Sequence, residues 1–170
     1  MIRRHMKRPS SGFTLVELMI VLLVASILVG ISVPMYQTQV RHSRRTDAKT
    51  ALLDVAVREE KYLTLNNSYT VTASSLGYAS LPVTVGSGYY QVNVCLGTAT
   101  TSTSTSSSCT AATAATTGTS FVVSAIPVAG TSQAKDTPCL YFAVDNTGTQ
   151  YSSNSTAGTG GTATTSTCWQ

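Results

Sequence analysis

Histidine is nearly absent from this chain: its 170 residues include only His5 and His42. Beyond His42 no imidazole is left to act as a base, to complete a nucleophile–base pair or to anchor a metal cluster. Glycine motifs of the GxxxxGK[ST] or GxGxxG type are missing too, which removes the usual sequence ground for nucleotide chemistry. Charge is equally sparse, since after Lys61 only Lys135, Asp136 and Asp145 are charged. One lysine over that stretch makes no phosphate-neutralising stripe, so specific nucleic-acid binding is not expected. Asp136 and Asp145 read as strand-end solvation rather than as a paired acid and base; a calcium site built from them and Asn146 is the weaker alternative. The chain is read as a non-enzyme with no cofactor, no metal and no small-molecule substrate.

What the chain does have is concentrated near one end. No residue over 18–40 is charged, and most up to residue 33 are Leu, Ile, Val, Met or Ala, enough for a membrane-spanning helix of about 20 residues. A basic segment, MIRRHMKRPSSG, precedes the run, and one carboxylate, Glu17, stands at its start. The formal net charge of +4 belongs to that segment: without Arg3, Arg4, Lys7 and Arg8 the chain holds seven basic and seven acidic side chains. An ordinary secretory signal is cut after its apolar run at an A-x-A-like site, and Gly30-Ile31-Ser32 is only a poor approximation to one. An ionised side chain in an apolar run costs a few kcal/mol, less near a helix end. The helix N-terminus favours the negative charge of Glu17, and the amine of a chain beginning at Phe13 would lie about one turn away. Glu17 as a simple helix cap is the plainer alternative.

After Pro34 the pattern becomes amphipathic. Ala48, Leu52, Val55, Ala56 and Leu63 recur mostly at three- and four-residue steps, which predicts that the helix continues to about Leu65 with one packed face. Gly30 and Pro34 are its weak points, because Pro34 lacks a backbone donor and clashes with the carbonyl of Gly30; a kink or locally melted turn is predicted there. Residues 69–88 read as a connecting loop. Strands are predicted at 89–95, 120–126 and 139–145, with a short fourth at 149–152 after the turn Asp145-Asn146-Thr147-Gly148. With no crossover helix between them they should be antiparallel and pack on the helix, an α+β arrangement. The Ser/Thr-rich tracts at 98–120 and 152–167 should be exposed loop. Cys95, Cys109, Cys139 and Cys168 all follow the apolar run, and an even count without CxxC favours disulfides over zinc. Of three formal pairings, short-loop closure favours Cys95–Cys109 with Cys139–Cys168.

Gly12-Phe13-Thr14-Leu15-Val16-Glu17, followed by the apolar helix and Pro34, resembles the class III signal of type IV prepilins and related pseudopilins. The likeness extends less specifically through residues 46–53, Arg58-Glu59-Glu60 and Leu76-Gly77-Tyr78. The Cys139–Cys168 pair with Trp169 beside it is similar to the disulfide-bounded C-terminal region of type IV pilins, whereas Cys95, Cys109 and the 98–120 tract look like subfamily features. The resemblance implies a pilin fold, with a long N-terminal helix on a small antiparallel head. It divides the chain into a cleaved leader 1–12, a membrane and filament-core helix 13–34, an amphipathic helix 35–65 and a head 66–170.

By the same resemblance, prepilin peptidase would cut between Gly12 and Phe13 and N-methylate Phe13. Glu17 would guide docking of the subunit into a type IV pilus. Implied partners are identical or related pilin subunits, the peptidase, the inner-membrane pilus assembly machinery and, before assembly, the membrane itself. The implied location is the bacterial inner membrane and then a surface filament serving twitching, adhesion or DNA uptake. A minor pilin or type II secretion pseudopilin is the alternative, and a DNA-binding pilin-like receptor a remote one.

Overall fold

The computed structural model describes residues 12–97, 116–156 and 161–170. The chain divides between Gln39 and Val40 into two compact units.

The first unit consists, where described, of the start of helix α1, Leu15–Asn66, and the residues just before it. Every described residue over 12–39 is exposed, although the most apolar 18-residue window of the helix has a mean hydropathy of 2.7. A helix satisfies its own backbone in such a run, and here it also satisfies its hydroxyls. Ser26 Oγ donates to Leu23 O at 2.8 Å, Ser32 Oγ to Leu28 O at 2.8 Å and Thr38 Oγ1 to Pro34 O at 3.1 Å. The locally melted turn expected between Gly30 and Pro34 is not found, for α1 is helical through both. The cost of Pro34, one missing donor and the crowding of the Gly30 carbonyl, falls on a single turn of a helix 52 residues long.

The second unit, Val40–Gln170, is built on the rest of α1. Its strands are β1 (Tyr69–Thr70), β2 (Val83–Val85), β3 (Tyr90–Leu96), β4 (Thr117–Gly118), β5 (Phe121–Pro127), β6 (Tyr141–Asp145) and β7 (Gln150–Ser153), followed by a single helical turn, α2 (Thr165–Cys168). Five of them form an antiparallel sheet in the order β2-β3-β5-β6-β7, and β1 pairs with β4 in a separate antiparallel ribbon. The four strands expected from alternation are β3, β5, β6 and β7. The loop reading of 69–88 is corrected, since that stretch supplies β1 and β2; a two-residue and a three-residue strand are too short to display a period of two.

Alternation along the central strands sorts their side chains. Tyr90, Val92 and Val94 of β3, Phe121, Val123 and Ala125 of β5, and Phe142 and Val144 of β6 share one buried cluster with Ala48, Leu52 and Val55 of α1. Val122, Tyr141 and Ala143 form a smaller cluster on the opposite face. Both patterns follow from the two-residue period of a strand. The Cys139–Cys168 disulfide, with Cα atoms 5.8 Å apart, ties the approach to β6 to α2. Cys95 lies in β3; its expected partner Cys109 lies outside the described residues, as does most of the 98–120 tract.

Candidate functional site at the start of the helix

Gly12 and Phe13 precede the first helical turn and are exposed, Phe13 by 84%. Helix α1 begins with a cap: Thr14 Oγ1 accepts the backbone N–H of Glu17 at 3.2 Å, and Thr14 O accepts that of Leu18 at 3.2 Å. Thr14-Leu15-Val16-Glu17 is thus the sequence pattern of a capping box, and the threonine performs the capping. The Glu17 carboxylate makes no hydrogen bond or ion pair among the described residues and is exposed beside Leu18, Ile20 and Val21.

Arg41, His42, Arg44 and Arg45 follow one another closely in the sequence, but Arg45 alone of them is buried. Arg45 is 7% exposed and Asp136 4%. Nε and Nη2 of Arg45 reach the two carboxylate oxygens of Asp136 at 2.7 and 2.6 Å, the bidentate geometry a guanidinium favours. Gln133 completes the group, donating from Nε2 to Asp136 Oδ2 at 3.0 Å and to the Tyr90 hydroxyl at 2.8 Å. Asp136 is therefore an interior ion-pair partner rather than a solvated strand end. The signal was present in the spacing: Arg45 stands three residues before Ala48, in phase with the packed stripe.

Asp145 also spends its carboxylate locally. Oδ1 accepts from the Thr147 N–H, the Thr147 hydroxyl and the Thr149 N–H at 2.9, 2.6 and 2.9 Å, and Oδ2 accepts from the Tyr151 hydroxyl at 2.8 Å. Burial alone would raise this carboxyl, but the hydrogen bonds from Thr147, Tyr151 and Thr149 outweigh it and hold it below the usual carboxylate range. With Asp136 and Asp145 committed to different networks, they make no pair, and no metal-ligating cluster occurs among the described residues.

A buried carboxyl that the sequence reading did not single out lies farther along α1. Glu59 is fully buried; Oε2 accepts the Thr70 N–H of β1 at 3.0 Å, while Oε1 has no hydrogen-bond partner among the described residues. Burial pushes it up to about 7, the Thr70 N–H holding it partly down and neighbouring Glu60 adding to the rise. Nearby, Asp54 and Arg58 form an exposed pair at 2.8 Å, and the Tyr78 hydroxyl donates to Asp54 at 2.7 Å.

A family model described as type IV minor pilin ComP, DNA uptake sequence receptor, matches residues 34–143, and one described as the prokaryotic N-terminal methylation motif matches residues 7–33. The chain is 32% identical over 68 residues to the type IV major pilin protein PilA of Myxococcus xanthus, a match covering 40% of this chain and 31% of that protein. It is 35% identical over 81 residues to the type IV wide pilus major component PilA4 of Thermus thermophilus, covering 46% of this chain and 62% of that protein. The chain thus spans 31% and 62% of the lengths of these two relatives.

Proposed function

We propose, on the premise that the chain belongs to the type IV pilin family described as minor pilin ComP, DNA uptake sequence receptor, that it is a filament subunit stored in a membrane and then assembled through the start of α1. The carrying observation is Glu17, a carboxylate without a partner among the described residues, at the start of a helix whose apolar side chains up to residue 33 are all uncovered. Prepilin peptidase cuts between Gly12 and Phe13 and methylates the new amine. Gly12 favours this because a residue without a side chain lets an enzyme approach the backbone closely. The amine of one subunit's Phe13 then neutralises Glu17 of another as both leave lipid. Dispersion between closely packed helices supplies cohesion where lipid tails are no less apolar than leucine. Working parts are the leader 1–12, the core helix 13–34, the amphipathic helix 35–65 and the head 66–170. As in a family of structural subunits, catalysis is left to the peptidase and the assembly machinery.

Mass spectrometry of the mature chain should find methylated Phe13 at its start. Glu17→Leu should leave a cleaved, membrane-held subunit and reduce sheared surface fibres to background. A mature chain beginning elsewhere, or wild-type fibre yield from Glu17→Leu, overturns the proposal.

A second reading, that the assembled subunit also contacts DNA, is favoured by the description of the family that matches residues 34–143. The head has few free cations for it, so contact would be weak and steeply salt-dependent. Retardation of duplex DNA by purified fibres at low salt, abolished by added salt, would support this reading; no retardation at low salt removes it.

A further inference from the structure

Arg41, His42, Arg44 and Arg45 follow one another closely on α1, but their settings differ. Arg45 is taken inside by Asp136, and His42 Nδ1 lies 3.3 Å from Arg45 Nη1. Arg44 stays at the surface: its guanidinium carbon lies 3.5 Å from the centroid of the Tyr89 ring, and Nη1 donates to Ser132 Oγ at 2.6 Å. That bond, with the 3.4 Å contact from Gln133 Nε2 to Arg41 O, seats the 3-10 turn Ser132–Lys135 against this part of α1. The turn brings Lys135 to the same end of the second unit. Neither Arg41 nor Lys135 has an ion-pair partner among the described residues, where the ion pairs are Arg45–Asp136 and Arg58–Asp54. With the interior pair discounted, Arg41, Arg44 and Lys135 outnumber the nearby exposed Asp47.

The geometry points to Arg41, Arg44 and Lys135 as a collar that docks the head on anionic lipid headgroups while the subunit waits in the membrane. The inference rests on the proposed anchoring of residues 13–33 in a bilayer. Headgroups begin near Pro34 when the apolar run fills the hydrocarbon, and Arg41, roughly 10 Å farther along the helix, stands a few ångströms beyond their outer edge. Attraction of basic side chains to anionic lipid decays within a Debye length of about 8–10 Å. Lys61, about 30 Å farther along α1, is beyond that reach. A nucleic-acid duplex is the less favoured occupant, because its backbone asks for cations spread along a surface, whereas these are confined to the end next to the apolar run.

The test uses the full chain in nanodiscs of phosphatidylcholine alone and of phosphatidylcholine mixed with phosphatidylglycerol, read by amide exchange over residues 131–136. Exchange should slow about fivefold or more in the anionic discs, the factor one basic side chain contributes at such a surface. The slowing should vanish in high salt, fall in the Arg41→Gln/Lys135→Gln variant, which keeps only Arg44 of the three, and persist in Lys61→Gln. Both changes in the double variant lie outside the buried core, and the Arg41 carbonyl that Gln133 contacts is retained. Equal exchange in the two lipids, or slowing unaffected by the double variant, overturns the collar while leaving the anchor intact. Slowing by duplex DNA in neutral discs, with none from phosphatidylglycerol, replaces lipid by nucleic acid. Failure of the chain to enter either disc removes the anchor and the collar together.

Discussion

Over residues 12–39, α1 presents Leu, Ile, Val and Met on every side and buries none of them, whereas over 40–66 the same helix buries Arg45 and Glu59. Water would favour the reverse of both. The comparison teaches that the two stretches answer to different surroundings: the first has no interior of its own and awaits a neighbour, while the second has one with room for charge. Helix propensity does not distinguish them, because the helix is continuous across the change.

Breaking the interior charge pair should have the largest effect on the head. Asp136→Ala leaves the Arg45 guanidinium buried and unpaired, a loss of about 3–5 kcal/mol, whereas Arg45→Met combined with Asp136→Leu should restore most of it; thermal unfolding of the two variants measures the difference. Next comes one change made in both stretches. Leu52→Ala opens a cavity under the sheet and should cost about 2–5 kcal/mol. Leu22→Ala, 61% exposed in the wild type, should leave the melting of the head unchanged, and any shift there would show that residues 12–39 share its interior.

Glu59 sharpens the comparison through pH. Its carboxyl titrates near 7 in the fold, against an ordinary value of 4.5, so between those values the folded state binds more protons than the unfolded one. The contribution of Glu59 to stability is therefore greatest below about 4.5, falls by up to about 3 kcal/mol as pH rises toward 7, and levels off above. Glu59→Gln keeps an acceptor for the Thr70 N–H and should flatten that slope, raising the melting temperature at pH 8 more than at pH 5. The smallest effect is expected at the exposed Asp54–Arg58 pair, where Asp54→Asn should cost about 1 kcal/mol or less and less again in salt.

The sequence carried the long helix and the four longer strands because periodicity needs length to show itself. Glu17 stands out in the sequence because it is an isolated charge beside an uninterrupted apolar run. The ribbon of β1 and β4 was hidden, for Tyr69–Thr70 and Thr117–Gly118 acquire their conformation from each other across a long separation in the chain. Arg45 and Glu59 were not legible for another reason. They continue the three- and four-residue stepping of Ala48, Leu52 and Val55, but their charge argued for solvent, and only the partner on a distant segment reverses that argument.

The Arg45–Asp136 bond also has a mechanical meaning. Tension pulled along α1 from its N-terminal side passes Val40 and arrives at Arg45 before it reaches Leu52. Asp136 hands it on, since its carbonyl accepts the Cys139 N–H at 2.9 Å and Cys139 is joined to Cys168 by the disulfide. A pull on the helix is thereby shared with a covalent loop of the sheet before the apolar contacts beneath the sheet begin to slide.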